Sequence, residues 1–302
     1  MATLYSNQAS NVRKTWLMVS VFLVLVIALG FVLSVLNGNP AILYASVGIS
    51  LLMNIGAYWF SDKLVLSMAN ARPIEKKEDY PELWNTLENL CITAGLPMPK
   101  LYVIDDPAPN AFATGRNKDN AVVAVTTGLL PLLSKSELEG VLAHELAHIG
   151  NRDMLLQTII VVFAGVISLI ADMAFRFSAF GGDGEKKSPL FIVLGVVAII
   201  LAPFAAMLIK LAISREREFL ADATGALITR YPEGLASALT KISNFHQPMK
   251  VQNHAIAHLF ISDPSGVNDE SELREHEKIS WLTKLFMTHP PVEERVNRLL
   301  TK

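Results

Sequence analysis

His144, Glu145 and His148 form the run His-Glu-Leu-Ala-His, and these residue types at this spacing suit one chemistry. Residues four apart on a helix share a face, so both imidazoles can reach a single metal ion. The glutamate beside the first histidine can serve as base toward a water activated at that ion. The competing explanation is a chance pentapeptide on an ordinary core helix, which a chain of this length meets on the order of 1% of the time. The flanks favour a helix: Ser134 or Ser136 can cap it, and Glu137 and Glu139 fall in its first turn. Leu138, Val141, Leu142 and Ile149 supply an apolar stripe, and Gly150-Asn151 marks its end. The pattern predicts a zinc peptidase.

The elements that must position this helix are set by an apolar composition. Hydrophobic residues make up 51% of the 302 and charged residues 18%, with a mean hydropathy of +0.37, which points to the membrane class. The net charge of -2 and the lack of a basic block give no footing for a nucleic-acid partner. Cys91, the single cysteine, allows no internal disulfide and reads as a core residue. Two uncharged runs, Trp16 to Leu36 and Ala41 to Phe60, each have about the 20 residues needed to cross a bilayer. The link Asn37-Gly38-Asn39-Pro40 makes them a hairpin, after a short N-terminal segment, 1–15. A second pair, Met154 to Phe175 and Leu190 to Ile213, is expected to form another hairpin; Gln157, Asp172, Pro203 and Lys210 weaken it, and a buried soluble hairpin is the alternative. Arg13 and Lys14 before the first span, and Lys63, Arg72, Lys76 and Lys77 after the second, place the N-terminus and the middle region in the cytoplasm. Arg176, Lys186 and Lys187 between the later segments count against that loop being outside, but the orientation set by the first pair is kept, with that loop outside.

Between and after the hairpins the chain alternates short elements. Tyr80 to Ala94 reads as a helix opened by Pro81 and broken at Gly95. Lys100 to Ile104, Asn110 to Thr114 and Ala121 to Thr126 read as strands, and Ser134 to Asn151 as the metal helix. Helices follow at Ser214 to Thr229, Pro232 to Ser243 and Pro291 to Leu300. Segments 61–153 and 214–302 are each too small for an independent domain, so they are expected to share one α+β core interrupted by the second hairpin.

A catalytic zinc has three protein ligands and an open position, so one ligand remains to be found. A membrane hairpin returns the chain to the side it left, which brings the segment after Ile213 beside the helix that ends near Asn151. Glu218 and Asp222 lie there, four apart on one helix face. One of the two can ligate zinc while the other accepts a hydrogen bond from a ligand histidine. The plainer alternative is a charged helix at the membrane surface, laced by Glu–Arg pairs.

With these residues in place, the chain resembles the M48 metallopeptidases, and among them it is most similar to the HtpX group of bacterial membrane proteases. The likeness extends to Pro109-Asn110-Ala111-Phe112-Ala113-Thr114-Gly115, Thr126-Thr127-Gly128-Leu129-Leu130 and Ser214-Arg215-Glu216-Arg217-Glu218. It continues through His258-Leu259-Phe260-Ile261 and Thr288-His289-Pro290-Pro291, followed by Glu294-Arg295. The resemblance implies a mostly helical α+β fold: a polytopic membrane protein with about four transmembrane helices and a zincin-like cytoplasmic protease domain carrying a small β-sheet. It implies one Zn2+ per chain on His144, His148 and Glu218, with Asp222 supporting Glu218. It also implies a bacterial plasma (inner) membrane location and a role in membrane-protein quality control under stress.

His289 is either a donor to the tetrahedral oxyanion or simply the residue leading into the last helix. His254 and His258, also four apart, favour packing or surface roles, because no carboxylate motif accompanies them. The strand carrying Asn110, Ala111, Phe112 and Ala113 either offers an open edge to a polypeptide substrate or merely completes the fold. A non-catalytic zinc sensor or scaffold would keep the ligands but has no use for Glu145. A transporter would carry ionisable groups within its spans, where only Asp172 and Lys210, near span ends, qualify. The expected partners are polypeptides, above all membrane proteins, and the lipid bilayer; the oligomeric state is left open.

Overall fold

The computed structural model describes residues 4–163, 165, 167, 214–250, 256–265 and 290–301. Two long helices open the chain, α1 (Leu4–Asn37) and α2 (Ala41–Met68). Neither contains a proline, so α1 starts well before Trp16 and α2 runs on past Phe60, beyond the stretches that the lipid core requires. Ala9–Val35 and Ala41–Met68 are long and apolar enough to cross a membrane, and only 22% and 11% of their most apolar windows is buried. Trp16, Val24, Tyr44 and Leu52 are among the large apolar side chains left facing outward. The helices pack antiparallel through Gly30, where any Cβ would collide with Ser46.

The third expected apolar segment begins as helix α6 (Met154–Phe163). Its described part is buried against α1, with the Phe22 and Phe163 rings stacked 3.8 Å apart. Apart from Gly165 and Ile167, the remainder of the second expected hairpin lies outside the described residues, as do Arg176, Lys186 and Lys187 between its arms, His254 and His289.

Four strands make one mixed sheet in the order β1-β2-β4-β3. β2 (Lys100–Ile104), β3 (Ala111–Gly115) and β4 (Ala121–Thr126) fall where the sequence predicts them, and β1 (Arg72–Pro73) is an addition. A proline is tolerated in β1 because that strand is at the sheet edge. β2 and β4 pair parallel, whereas β3 and β4 pair antiparallel with Phe112 opposite Ala124. Every residue of β3 and β4 is buried, because both faces of the sheet are covered. Leu101, Val103, Ala111, Ala113, Val123 and Val125 face α3 (Pro81–Ala94), α5 (Lys135–Gly150) and α8 (Pro232–Ser243). On the other face Ile104, Phe112, Val122 and Ala124 meet the end of α2, Val161 of α6, and Phe260. The short helix α4 (Leu129–Leu132) links β4 to α5.

α5 is the central helix, and its start is closed by a capping box between Ser134 and Glu137. Glu137 also accepts hydrogen bonds from Ser237 (2.5 Å) and Lys241 (2.7 Å) of α8, so one carboxylate ties two helices together. Gly140 and Gly234 let the backbones of α5 and α8 touch, since a Cβ on either would fall 2.6 Å from the other's backbone. α7 (Arg215–Thr229) approaches α5 in the same way, through Gly225 against the backbone of His144. Helix α9 (Val292–Leu300) packs beside α7 and α8.

Candidate metal centre

Glu218, Asp222 and Gly225 recur at helical spacing along one face of α7. Because Gly225 brings that face onto α5, both carboxylates arrive at the imidazoles of His144 and His148. The Nε2 atoms of His144 and His148 are 3.1 Å apart, and each lies 3.7 Å from an oxygen of Glu218. All three side chains are buried. Among the described residues they are the group of potential ligands able to hold a metal ion.

Each imidazole is held from behind by its own carboxylate. His144 Nδ1 lies 3.0 Å from Asp222 Oδ1, and His148 Nδ1 lies 3.0 Å from Asp153 Oδ2. With the protons donated from Nδ1, both rings turn the Nε2 lone pair toward the same point. Two lone pairs at 3.1 Å cannot hydrogen-bond to each other, so the arrangement calls for a cation between them. A tetrahedral zinc with bonds of about 2.0 Å would hold two nitrogens about 3.3 Å apart. The donor set of two imidazoles and a carboxylate, its spacing and its burial therefore fit a zinc ion.

Asp222 is in turn gripped by Arg295 of α9 through two bonds, at 2.6 and 2.9 Å. Burial pushes the Asp222 carboxyl up, but the guanidinium outweighs it and holds the group well below the usual carboxylate range. Arg295 Nη2 and His144 Nδ1 converge on the same Asp222 oxygen, which explains their 3.5 Å separation. The family resemblance implies that Asp222 supports Glu218; the geometry puts it instead behind His144, in the place that the helix spacing leaves for a carboxylate accepting from a ligand histidine. Burial lowers the pKa of His144, against the pull of Asp222. Burial lowers His148 as well, but the Asp153 carboxylate more than reverses this and raises it to about 10. A field that favours a positive charge at His148 favours a proton or a metal ion alike.

Glu145 is buried between the two histidines along α5, and its Oε2 has no hydrogen-bond partner among the described residues. Burial raises its carboxyl to about 7, with His148 pulling it back and Glu218 pushing it further up. A buried carboxylate oxygen without a partner beside the ligand group is free to take up a proton.

The neighbouring edge of the sheet is β3, and part of its length is closed by other segments. Asn110 precedes the strand, and its side chain exchanges hydrogen bonds with the backbone of Ser262. Ile261 N–H donates to the Ala111 carbonyl at 2.9 Å. Antiparallel alternation puts the backbone groups of Ala113 on that same outer edge, beyond the closure. Phe112 points to the opposite face and packs edge-on against Phe260. His258 is buried in a short turn at Ala257–Leu259, outside the ligand group.

Asp153 and Arg295 are the two site residues that the sequence reading missed. Asp153 had a local signal, a carboxylate five residues past the second histidine and just beyond the helix end. Arg295 belongs to one of the motifs quoted above, but nothing in its sequence neighbourhood points at Asp222.

A model of the family described as Peptidase family M48 matches residues 77–302. The chain is 46% identical over 288 residues to a "Protease HtpX homolog" of Pyrococcus abyssi, covering 94% of each protein. It is 43% identical over 306 residues to one of Caldanaerobacter subterraneus subsp. tengcongensis, covering 98% of this chain and 97% of that protein. A third, from Tropheryma whipplei, is 44% identical over 301 residues, with the same coverage. Among solved structures, the crystal structure of S. mikatae Ste24p is similar with a TM-score of 0.50. That match covers 85% of this chain and 58% of the other at 20% identity, a likeness of fold.

Proposed function

The chain belongs to peptidase family M48 and is a membrane metalloprotease; on that premise we propose that it is a zinc-dependent endopeptidase cutting misfolded or damaged membrane proteins at the cytoplasmic face, under stress. The observation that carries this reading is the convergence of His144, His148 and Glu218 around one point, with the unpaired oxygen of Glu145 beside it.

A zinc ion held by His144, His148 and Glu218 would act as a Lewis acid, polarising the scissile carbonyl and easing deprotonation of water. Glu145 takes the proton of the attacking water and returns one to the leaving nitrogen. Asp222 and Asp153 keep their histidines in the tautomer that leaves Nε2 free, and Arg295 keeps Asp222 charged. The β3 edge from Ala113 onward, beyond the bond from Ile261, binds substrate backbone as an added strand in this reading, which asks for no particular side-chain sequence. His289 is the donor to the developing oxyanion in this reading; in its support, Pro290 and Pro291 lead straight into α9, whose Arg295 reaches the site.

The membrane assignment is supported by the placement of the site. Asn11 near the start of α1 touches the end of α5, and Val65 and Leu66 near the end of α2 lie under the sheet. The catalytic groups thus stand at one end of the apolar helix pair, the end flanked by Arg13, Lys14 and Lys63. The positive-inside rule supports reading that end as cytoplasmic, and the likeness to the HtpX homologues supports the plasma (inner) membrane of a bacterial cell.

Glu145→Gln tests the function. The variant, purified in detergent, is expected to retain one zinc per chain by elemental analysis and to lose casein cleavage by at least about 100-fold, the low end for a general base. Undiminished cleavage would remove Glu145 from the mechanism. A wild-type protein that binds zinc and cleaves nothing would instead favour a sensor or scaffold.

A further inference from the structure

Asp153 reaches back to His148 because the chain turns sharply between α5 and α6. Three successive backbone bonds build that elbow: Asn151 N–H to Ala147 O at 2.8 Å, Arg152 N–H to Ile149 O at 3.3 Å, and Asp153 N–H to His148 O at 3.4 Å. The turn requires a left-handed residue, and the chain supplies Arg152, with φ of 57°, where glycine would be the unstrained choice. Such a conformation persists only where its surroundings enforce it.

To these local bonds a contact from 140 residues away is added. Asn11 of α1 donates through its Nδ2 to the Asn151 carbonyl at 3.2 Å, and this bond is buried. Asn11, Asn151 and Asp153 are 3%, 1% and 1% exposed. The φ angle of Arg152 is the rotation of the Asn151–Arg152 peptide about the Arg152 N–Cα bond. Holding the Asn151 carbonyl fixes one side of that rotation, and the Asp153 N–H bond to the His148 carbonyl fixes the other, so together they set the direction in which Asp153 leaves the turn. Thr15 in turn donates to the Asn11 carbonyl at 2.9 Å.

We propose that Asn11 is a positioning residue of the metal centre: through the Asn151–Asp153 elbow, the first apolar helix sets the orientation of His148. This rests on the metal-site reading above. It makes α1 a working part of the protease, since the tautomer and aim of one ligand depend on how α1 is docked against the end of α5.

The test is a double-mutant cycle on the full-length protein in detergent, with Zn2+ affinity read by competition against a fluorescent chelator. Asn11→Ala is expected to bind Zn2+ about 10-fold more weakly, within the range found when a ligand's supporting partner is lost. Asp153→Asn is expected to lose as much or more. In the Asp153→Asn background, Asn11→Ala should change nothing further, because both act through the same imidazole. Asn54→Ala removes a comparable helix bond, to the Ser50 carbonyl at 2.8 Å on α2, and should leave affinity unaltered. Wild-type affinity in Asn11→Ala would overturn the proposal, and so would losses that simply multiply in the double variant. Failure of the wild-type chain to bind Zn2+ would instead overturn the metal-site reading itself.

Discussion

His144 and His148 are handled alike: each gives its Nδ1 proton to a buried carboxylate and turns Nε2 toward the other. The two carboxylates differ in what holds them. Asp222 is clamped by a fully buried guanidinium, whereas Asp153 is held by the turn that carries it and has one oxygen without a partner among the described residues. The ligand and its support should therefore separate in a metal-affinity measurement. Glu218→Ala is expected to release Zn2+ outright in chelator competition, while the exposed Glu216→Ala retains it, because only Glu218 lies on the face of α7 turned to α5. Asp222→Asn is expected to bind Zn2+ about 10- to 100-fold more weakly. Greater release from Glu216→Ala than from Glu218→Ala would show the helix face to be misassigned, and unchanged affinity in Asp222→Asn would reduce that carboxylate to a partner of Arg295 alone.

At the scale of elements, the site depends on how closely α7 and α8 can approach α5. Gly225, Gly140 and Gly234 remove the side chains that would keep these backbones apart. Glu137 then fastens the start of α5 to α8. Burial raises the pKa of Glu137, but the bonds from Lys241, Ser237 and Ser134 outweigh it and bring the carboxyl down to about 2. A folded-state value below that of the unfolded chain means that this carboxylate stabilises the fold above its ordinary pKa of 4.5 and loses that effect as pH falls toward 2. Glu137→Gln is expected to unfold more easily at pH 7, by about 1 kcal/mol given that Lys241 is partly exposed. The deficit should shrink between pH 4.5 and pH 2, as followed by denaturant unfolding at fixed detergent. A deficit independent of pH would assign the effect to lost packing and not to the charge.

The whole molecule is organised around the end of the apolar helix pair. The Gly30–Ser46 contact and the Ser50 bond to the Leu23 carbonyl set an antiparallel register that brings Trp16 level with Trp59. Both rings are more than half exposed, as suits residues at a membrane–water boundary. Arg116, in the turn after β3, stacks on the Trp59 ring at 4.2 Å, so one end of the candidate substrate strand rests at that same level. Lys135 and Arg230, at the start of α5 and the end of α7, are exposed on the protease side. Single cysteines at these two positions, in a Cys91→Ser background, should react in intact cells only with a membrane-permeant reagent. Labelling of the two from opposite sides would place a bilayer of about 30 Å between His144 and Glu218 and rule out a shared metal ion.

Local order along the chain is enough to determine much of this protein. The spacing of His144 and His148, the Ser134 cap and the break at Gly95 each act over a few residues and are found where the sequence places them, and the two uncharged runs lie within helices longer than the runs themselves. The spacing on α7 and the expected return of the chain narrow the third ligand to Glu218 or Asp222, and the family resemblance alone chooses Glu218 between them. Which carboxylate serves which ligand was left to packing. Asp222 goes to His144 because Gly225 sets the approach of α7, and Arg295 finds Asp222 from 73 residues away. The partial closure of the β3 edge by Ile261 and Ser262, the parallel pairing of β2 with β4, and the grip of Asn11 on the elbow are likewise contacts between distant segments. Such contacts depend on how buried faces fit together in three dimensions, and a pattern confined to neighbouring residues holds no record of that fit.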